Sequence, residues 1–182
     1  MAGVSEPMQA LYEGDRERAE RLLAEREEID VFEAASFGRV DRLRELLDAD
    51  PELVTAFAAD GFTALHFAAF FAQPEAAALL VEHGADARAR ARNAMEVEPL
   101  HSAAAADQTE IARLLLAAGA DPDARQEGGF VALHAAAHNG NAELADLLRQ
   151  HGADVALVTD DGRTAEQIAR ETGHTRLADS LA

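Results

Sequence analysis

A repeat of about 33 residues constrains this chain more than any other feature. The tetrapeptides Thr63-Ala64-Leu65-His66, Glu98-Pro99-Leu100-His101 and Val131-Ala132-Leu133-His134 recur at spacings of 35 and 33 residues, and alanines and a Leu-rich stretch follow each one. Extended outwards, the same frame takes in Thr164-Ala165-Glu166-Gln167, 33 residues on, and Ile29-Asp30-Val31-Phe32, 34 residues before the first tetrapeptide. The second half of each unit repeats as well: the segments Ala78 to Asp86, Arg113 to Asp121 and Asp146 to Asp154 share a leucine run and a closing Gly-Ala-Asp. Self-similarity of this length marks an array of stacked units, each too small to bury its own apolar face alone.

Within a unit the pattern predicts two antiparallel helices. A short Ala-rich segment (Leu65 to Ala72, Leu100 to Asp107, Leu133 to Gly140) precedes a longer run (Pro74 to His83, Thr109 to Ala118, Asn141 to Gln150) with apolar residues at helical spacing. Alanine pairs such as Ala68-Ala69, Ala103-Ala104 and Ala136-Ala137 let the first helices approach closely, and the leucines of the second supply bulk. Gly84, Gly119 and Gly152 stand where the second helix stops and a left-handed backbone is needed. Turn formers ahead of each unit (Asp60-Gly61, Glu127-Gly128-Gly129, Asp160-Asp161-Gly162) predict hairpins projecting from one edge.

These residues resemble the ankyrin repeat, with its Thr-Pro-Leu-His helix start, Ala-Ala pair, Leu-rich second helix and Gly-Ala-Asp exit. The resemblance covers residues 29 to 182 and implies an all-α solenoid of helix-turn-helix units with projecting hairpin loops. The expected units span about 29–62, 63–97, 98–130, 131–163 and 164–182. In the last, Glu166 and Gln167 replace the motif's Leu and His, and Asp179 and Ser180 follow the final apolar positions, as a terminal cap without a further neighbour requires. Residues 1–28, with Ala10 to Asp15 followed by Ala19 to Leu23, read as a degenerate helical cap of the same domain.

Charge and cysteine usage exclude several classes of function. A formal charge of −18 opposes binding to a phosphate backbone, so nucleic acid is not an expected partner. Arg88, Arg90 and Arg92 are a local exception, alternating in one finger with Arg125 a unit later; they either balance nearby carboxylates or meet an acidic partner. With no cysteine there are no disulfides and no thiolate chemistry, and a reducing cytoplasm is the default expectation. No apolar run is long enough to span a membrane, and Met1 to Glu6 lack the basic-then-apolar pattern of an export leader.

Seven histidines invite a catalytic or metal reading. His66, His101 and His134 occupy the motif position for which the resemblance implies hydrogen bonds to the preceding turn and the neighbouring unit. His83 and His151 precede the terminating glycines, where a ring can meet free helix carbonyls, and His174 begins the last helix. His138 lies four residues after His134, so the pair shares a helical face, and a metal-dependent hydrolase using both is the alternative enzyme reading. No glutamate base follows the pair, and no phosphate loop or nucleophile elbow occurs; no catalytic residue, metal or cofactor is expected.

A shared surface then remains for function. In ankyrin-like stacks the fingertips and the exposed face of each first helix form a concave strip, which the resemblance maps onto Phe37, Phe70, Phe71, His138 and Asn139 on the helices and onto Phe62, Met95, Val97 and Phe130 on the fingers. Bulky rings in unit two, small Ala105 and Ala106 in unit three and Phe130 in unit four predict a pocket for a bulky apolar group, with an acidic surround favouring a basic partner segment. The expected function is protein–protein interaction by a monomer. A self-associating array, or an engineered scaffold without a natural partner, is the other possibility.

Overall fold

The computed structural model describes residues 4–182; Met1, Ala2 and Gly3, which belong to both the leader and the cap readings, lie outside the described residues. Among these residues the regular structure is helical, with isolated bridges Phe57–Thr63 and Val158–Thr164 closing two of the hairpins. An N-terminal pair, α1 (Glu6–Tyr12) and α2 (Arg16–Ala24), precedes five further pairs. These are α3 (Val31–Ser36) with α4 (Val40–Ala49), α5 (Ala64–Phe70) with α6 (Pro74–Glu82), α7 (Pro99–Ala105) with α8 (Thr109–Ala117), α9 (Ala132–Asn139) with α10 (Ala142–Gln150), and α11 (Ala165–Glu171) with α12 (Thr175–Leu181).

First helices stack on first helices, from α3 through α11, and the second helices form the layer behind them. The alanine pairs explain how close the first layer comes: Ala68, Ala69, Ala103, Ala104, Ala136 and Ala137 have no exposed surface. Behind them Leu80, Leu115 and Leu148 fill equivalent places and Leu43 is buried in the first unit, so a single apolar core runs along the array. The second helices end as expected, with Gly84, Gly119 and Gly152 at φ +88°, +92° and +93°. The first helices stop one or two residues sooner than the sequence pattern implies. Gly140 (φ +72°) provides the left-handed exit in one unit, but Ala72 (φ +59°) and Asp107 (φ +62°) adopt it in two others at steric cost.

Two corrections concern the caps. In the first unit the cap is Asp30, not Ile29: its Oδ1 accepts from Phe32 N and Glu33 N at 2.9 and 2.8 Å, and Glu33 Oε2 accepts from Asp30 N at 3.1 Å. The first helix there is one residue shorter, so a frame extrapolated from Gly38 misplaces its start. Thr164 caps its helix, accepting from Gln167 N at 3.3 Å, but Thr63 acts differently. Thr63 Oγ1 lies 2.8 Å from His66 Nδ1 and does not accept from the helix.

The three motif histidines are ties between units. Each Nδ1 accepts the N–H of the residue opening its helix: Thr63 to His66 at 3.2 Å, Glu98 to His101 at 2.9 Å and Val131 to His134 at 3.0 Å. Each Nε2 then donates to a carbonyl of the following finger, Val97, Ala124 or Leu157, at 3.0, 2.9 and 3.1 Å. One nitrogen must accept and the other donate, which fixes the neutral Nε2–H tautomer. Burial holds all three below the usual imidazole range, His66 down to about 4, with the carbonyl at the far nitrogen opposing the shift.

The N-terminal pair packs differently from a repeat unit. Met8, Ala10, Ala19 and Leu23 join Phe37 and Phe67 in a second apolar cluster, flanked by Phe32, Phe62 and Phe71. The α1–α2 hairpin thus covers part of the aromatic surface that the first two units present.

Candidate recognition cleft

Several elements converge on a cleft of about 440 Å³ next to that hairpin. Helix α5 contributes Phe67 and Phe70, α7 contributes Ser102 and Ala105, and the preceding finger contributes Asp60 and Phe62. The next finger supplies Met95 and Val97, while Val4 and Tyr12 close the N-terminal side. The size lies within the range typical of ligand-sized pockets.

Local hydrogen bonding explains why Met95 is held out over the opening. Ala91 N donates to Val97 O at 2.8 Å, closing the finger, and Met95 N donates to Asn93 Oδ1 at 3.0 Å, forming a turn around the asparagine side chain. Asn93 Nδ2 reaches back to Asp60 O at 2.9 Å, and Glu127 N from the next finger donates to Met95 O at 3.1 Å. Fingers on both sides therefore fix the tip, and the Met95 side chain stays 50% exposed. Across the cleft Phe70 is 43% exposed at the end of α5, edge-on to Phe71 at a centroid distance of 5.2 Å.

Tyr12 forms the third wall. Its ring stands edge-on to Phe71 at 5.3 Å and tilted against Phe70 at 6.4 Å, and its hydroxyl donates to Asp60 Oδ2 at 3.3 Å. Burial first, and then the Asp60 carboxylate, raise this phenol well above its ordinary value, so it is a neutral donor at any physiological pH. Among the described residues Asp60 is the one carboxylate lining the cleft.

The nine residues expected on the strip separate into groups. Phe62, Phe70, Met95 and Val97 come together in the cleft. Val97 is only 5% exposed, so it forms the base and gives its carbonyl to His66; it is not an exposed contact at the rim. Phe37 is 3% exposed, because the N-terminal hairpin packs over it through Met8, Ala10, Ala19 and Leu23. Phe71 is half-buried between that hairpin and Phe70. Phe130 stands edge-on to His134 at 5.8 Å and packs on the main core, outside the cleft. Asn139 is occupied in joining units, donating from Nδ2 to Ala104 O at 3.1 Å, and His138 is exposed nearby.

Sequence reasoning missed Val4, Tyr12, Asp60, Ser102 and Gln126 as lining residues. Tyr12 carried a signal, since it is the chain's one tyrosine and lies on the apolar side of a helix whose stacking partner was unknown. Asp60 and Gln126 take part through the folding-back of neighbouring fingers, which has no counterpart in the repeat pattern, while Val4 comes from the N-terminal segment and Ser102 from α7. The metal alternative loses its first ligand: His134 accepts at Nδ1 and donates at Nε2, and so has no lone pair free for an ion. Among the described residues no helix is long and apolar enough to cross a membrane.

A family model described as "Ankyrin repeats" matches this chain, in three copies, over residues 8–126 and 100–182. No curated protein matches it.

Proposed function

The chain belongs to the ankyrin repeat family, whose members are generally protein–protein interaction modules, and from that premise we propose that it binds a partner segment in the cleft between α5 and α7. The segment places a bulky apolar side chain between Phe70, Met95 and Ala105 and a neighbouring Arg or Lys toward Asp60. The observation that carries this reading is an apolar cleft of about 440 Å³ with rigidly held exposed Phe70 and Met95 at its mouth and one carboxylate at its edge. Large apolar groups left exposed in a well-packed array are hot-spot anchors in waiting. In this reading the protein is a cytoplasmic adaptor that acts as a monomer and performs no chemistry. Its net charge of −18 speeds encounter with a basic segment.

Selection from a random peptide display library, followed by titration of the enriched peptides, tests the proposal. The enriched sequences are expected to pair an aromatic or long aliphatic residue with an adjacent Arg or Lys. Ala105→Trp, which fills the cleft from an exposed helix position, and Phe70→Ala are each expected to weaken binding by about tenfold or more with helicity unchanged. Peptides that bind both variants as well as the parent chain place recognition elsewhere.

A further inference from the structure

The arginine run that the cleft does not use lines a second depression, of about 330 Å³, between two successive fingers. Its walls are Val54, Thr55, Phe57 and Thr63 on one side and Asp86 with Arg88, Arg90 and Arg92 on the other. Alternation produces this arrangement. Ala91 is buried and Ala89 half-buried against the array, and Arg88, Arg90 and Arg92 beside them are exposed.

The three cations are not equally engaged. Arg88 pairs with Asp121 at 3.2 Å and Arg90 with Glu96 at 3.2 Å, both exposed contacts of the kind that exchange readily. Burial raises the proton affinity of the Glu98 carboxyl behind them, and both guanidiniums oppose that shift. Arg92 has no carboxylate within ion-pair distance among the described residues. Its guanidinium lies 3.8 Å above the Phe57 ring. Stacking covers one face of the plane and leaves its N–H edges aimed outwards, the pre-organised fork that suits a carboxylate. Asp86, the one acidic lining residue, already accepts from Arg88 N at 2.8 Å.

We propose that this finger cleft is a second docking site, for an acidic segment of a partner protein lying extended along Arg88, Arg90 and Arg92. Carboxylates along the segment take up the Arg92 guanidinium over Phe57 and exchange into the exposed pairs of Arg88 and Arg90, so that all three guanidiniums are engaged. A single phosphate meets at most one or two of them. The net charge of −18 does not forbid such a ligand, because at physiological ionic strength charges beyond ~8 Å are largely screened and the local field decides. Phe57 and Val54 add an apolar floor, so the segment best suited has small apolar residues between its acids.

A labelled peptide of alternating Glu and Ala, long enough to span the three arginines, tests this by fluorescence anisotropy with the full chain. Saturable, salt-sensitive binding is expected, weakened about tenfold or more by Arg92→Gln and by Phe57→Leu, which leaves the charge but removes the stack. Arg149→Gln, on the exposed side of α10, is expected to leave affinity unchanged. Equal weakening by Arg149→Gln means general electrostatics and overturns the site. Competition by inorganic phosphate at equal charge concentration also overturns it, in favour of a single-anion pocket, and so does association of the chain with itself that Arg92→Gln abolishes. Ala105→Trp lies outside this cleft, so its effect bears only on the cleft between α5 and α7.

Discussion

Acid should weaken the array through His66, by an amount that can be worked out. The imidazole is 1% exposed, is tied at both nitrogens in the Nε2–H form, and is held down to about 4 by burial, against about 6.5 in an unfolded chain. A histidine whose folded value is depressed binds fewer protons in the native state, so stability is fully present above the unfolded value and is lost as pH falls from there through the folded one. Each pH unit in that window costs about 1.4 kcal/mol, which gives a loss of about 2 kcal/mol by pH 5 and about 3 kcal/mol once His66 is fully protonated. Thirty-four carboxylates titrate nearby and relieve mutual repulsion as they protonate, so the raw pH profile mixes opposing effects. A comparison with His66→Gln, which cannot titrate there, separates them. Urea unfolding of both proteins, followed by circular dichroism from about pH 7.5 to 5, should show the stability advantage of the parent shrinking by about 2 kcal/mol. Parallel profiles for the two proteins would refute the neutral-histidine tie.

Two further perturbations test local geometry. Val131 occupies the place of Thr63 and is 2% exposed beside His134 Nδ1, so Val131→Thr should reproduce the hydroxyl-to-imidazole contact and raise the unfolding free energy by about 0.5–1 kcal/mol; a fall means that the hydroxyl is buried without a partner. Ala72 holds a left-handed φ of +59° where the unit of α9 and α10 has Gly140, and Ala72→Gly is expected to stabilise by about 1 kcal/mol in the same urea assay, whereas a loss of that size means the position is unstrained.

How far the sequence could be read depended on whether a residue answers to its own unit or to another. Gly84, Gly119 and Gly152 were legible because helix termination is local, and the alanine pairs because close approach follows from a missing side chain. His66, His101 and His134 could be assigned to the architecture from their register, although the carbonyls they reach lie 23 to 31 residues away. The first unit shows where extrapolation fails. One residue fewer between Asp30 and Gly38 moves the start of the helix, and a frame carried back from the later tetrapeptides cannot register the change.

The candidate cleft was half legible for the same reason. Repeat positions brought Phe62, Phe70, Met95 and the small Ala105 to one place, since equivalent residues of successive units must line up along a stack. Tyr12 and Val4 come from a hairpin with no repeat position, and Asn93 joins two fingers through a side-chain hydrogen bond that no periodicity encodes. By itself the sequence determined the repeat, the two helices of a unit and the glycine that ends the second, because each follows from a period and a local backbone requirement. Only the tertiary structure decided which aromatics remain free. Exposure depends on what packs across a surface, and the α1–α2 hairpin takes Phe37, Phe67 and much of Phe71 while leaving Phe70 beside an open cleft.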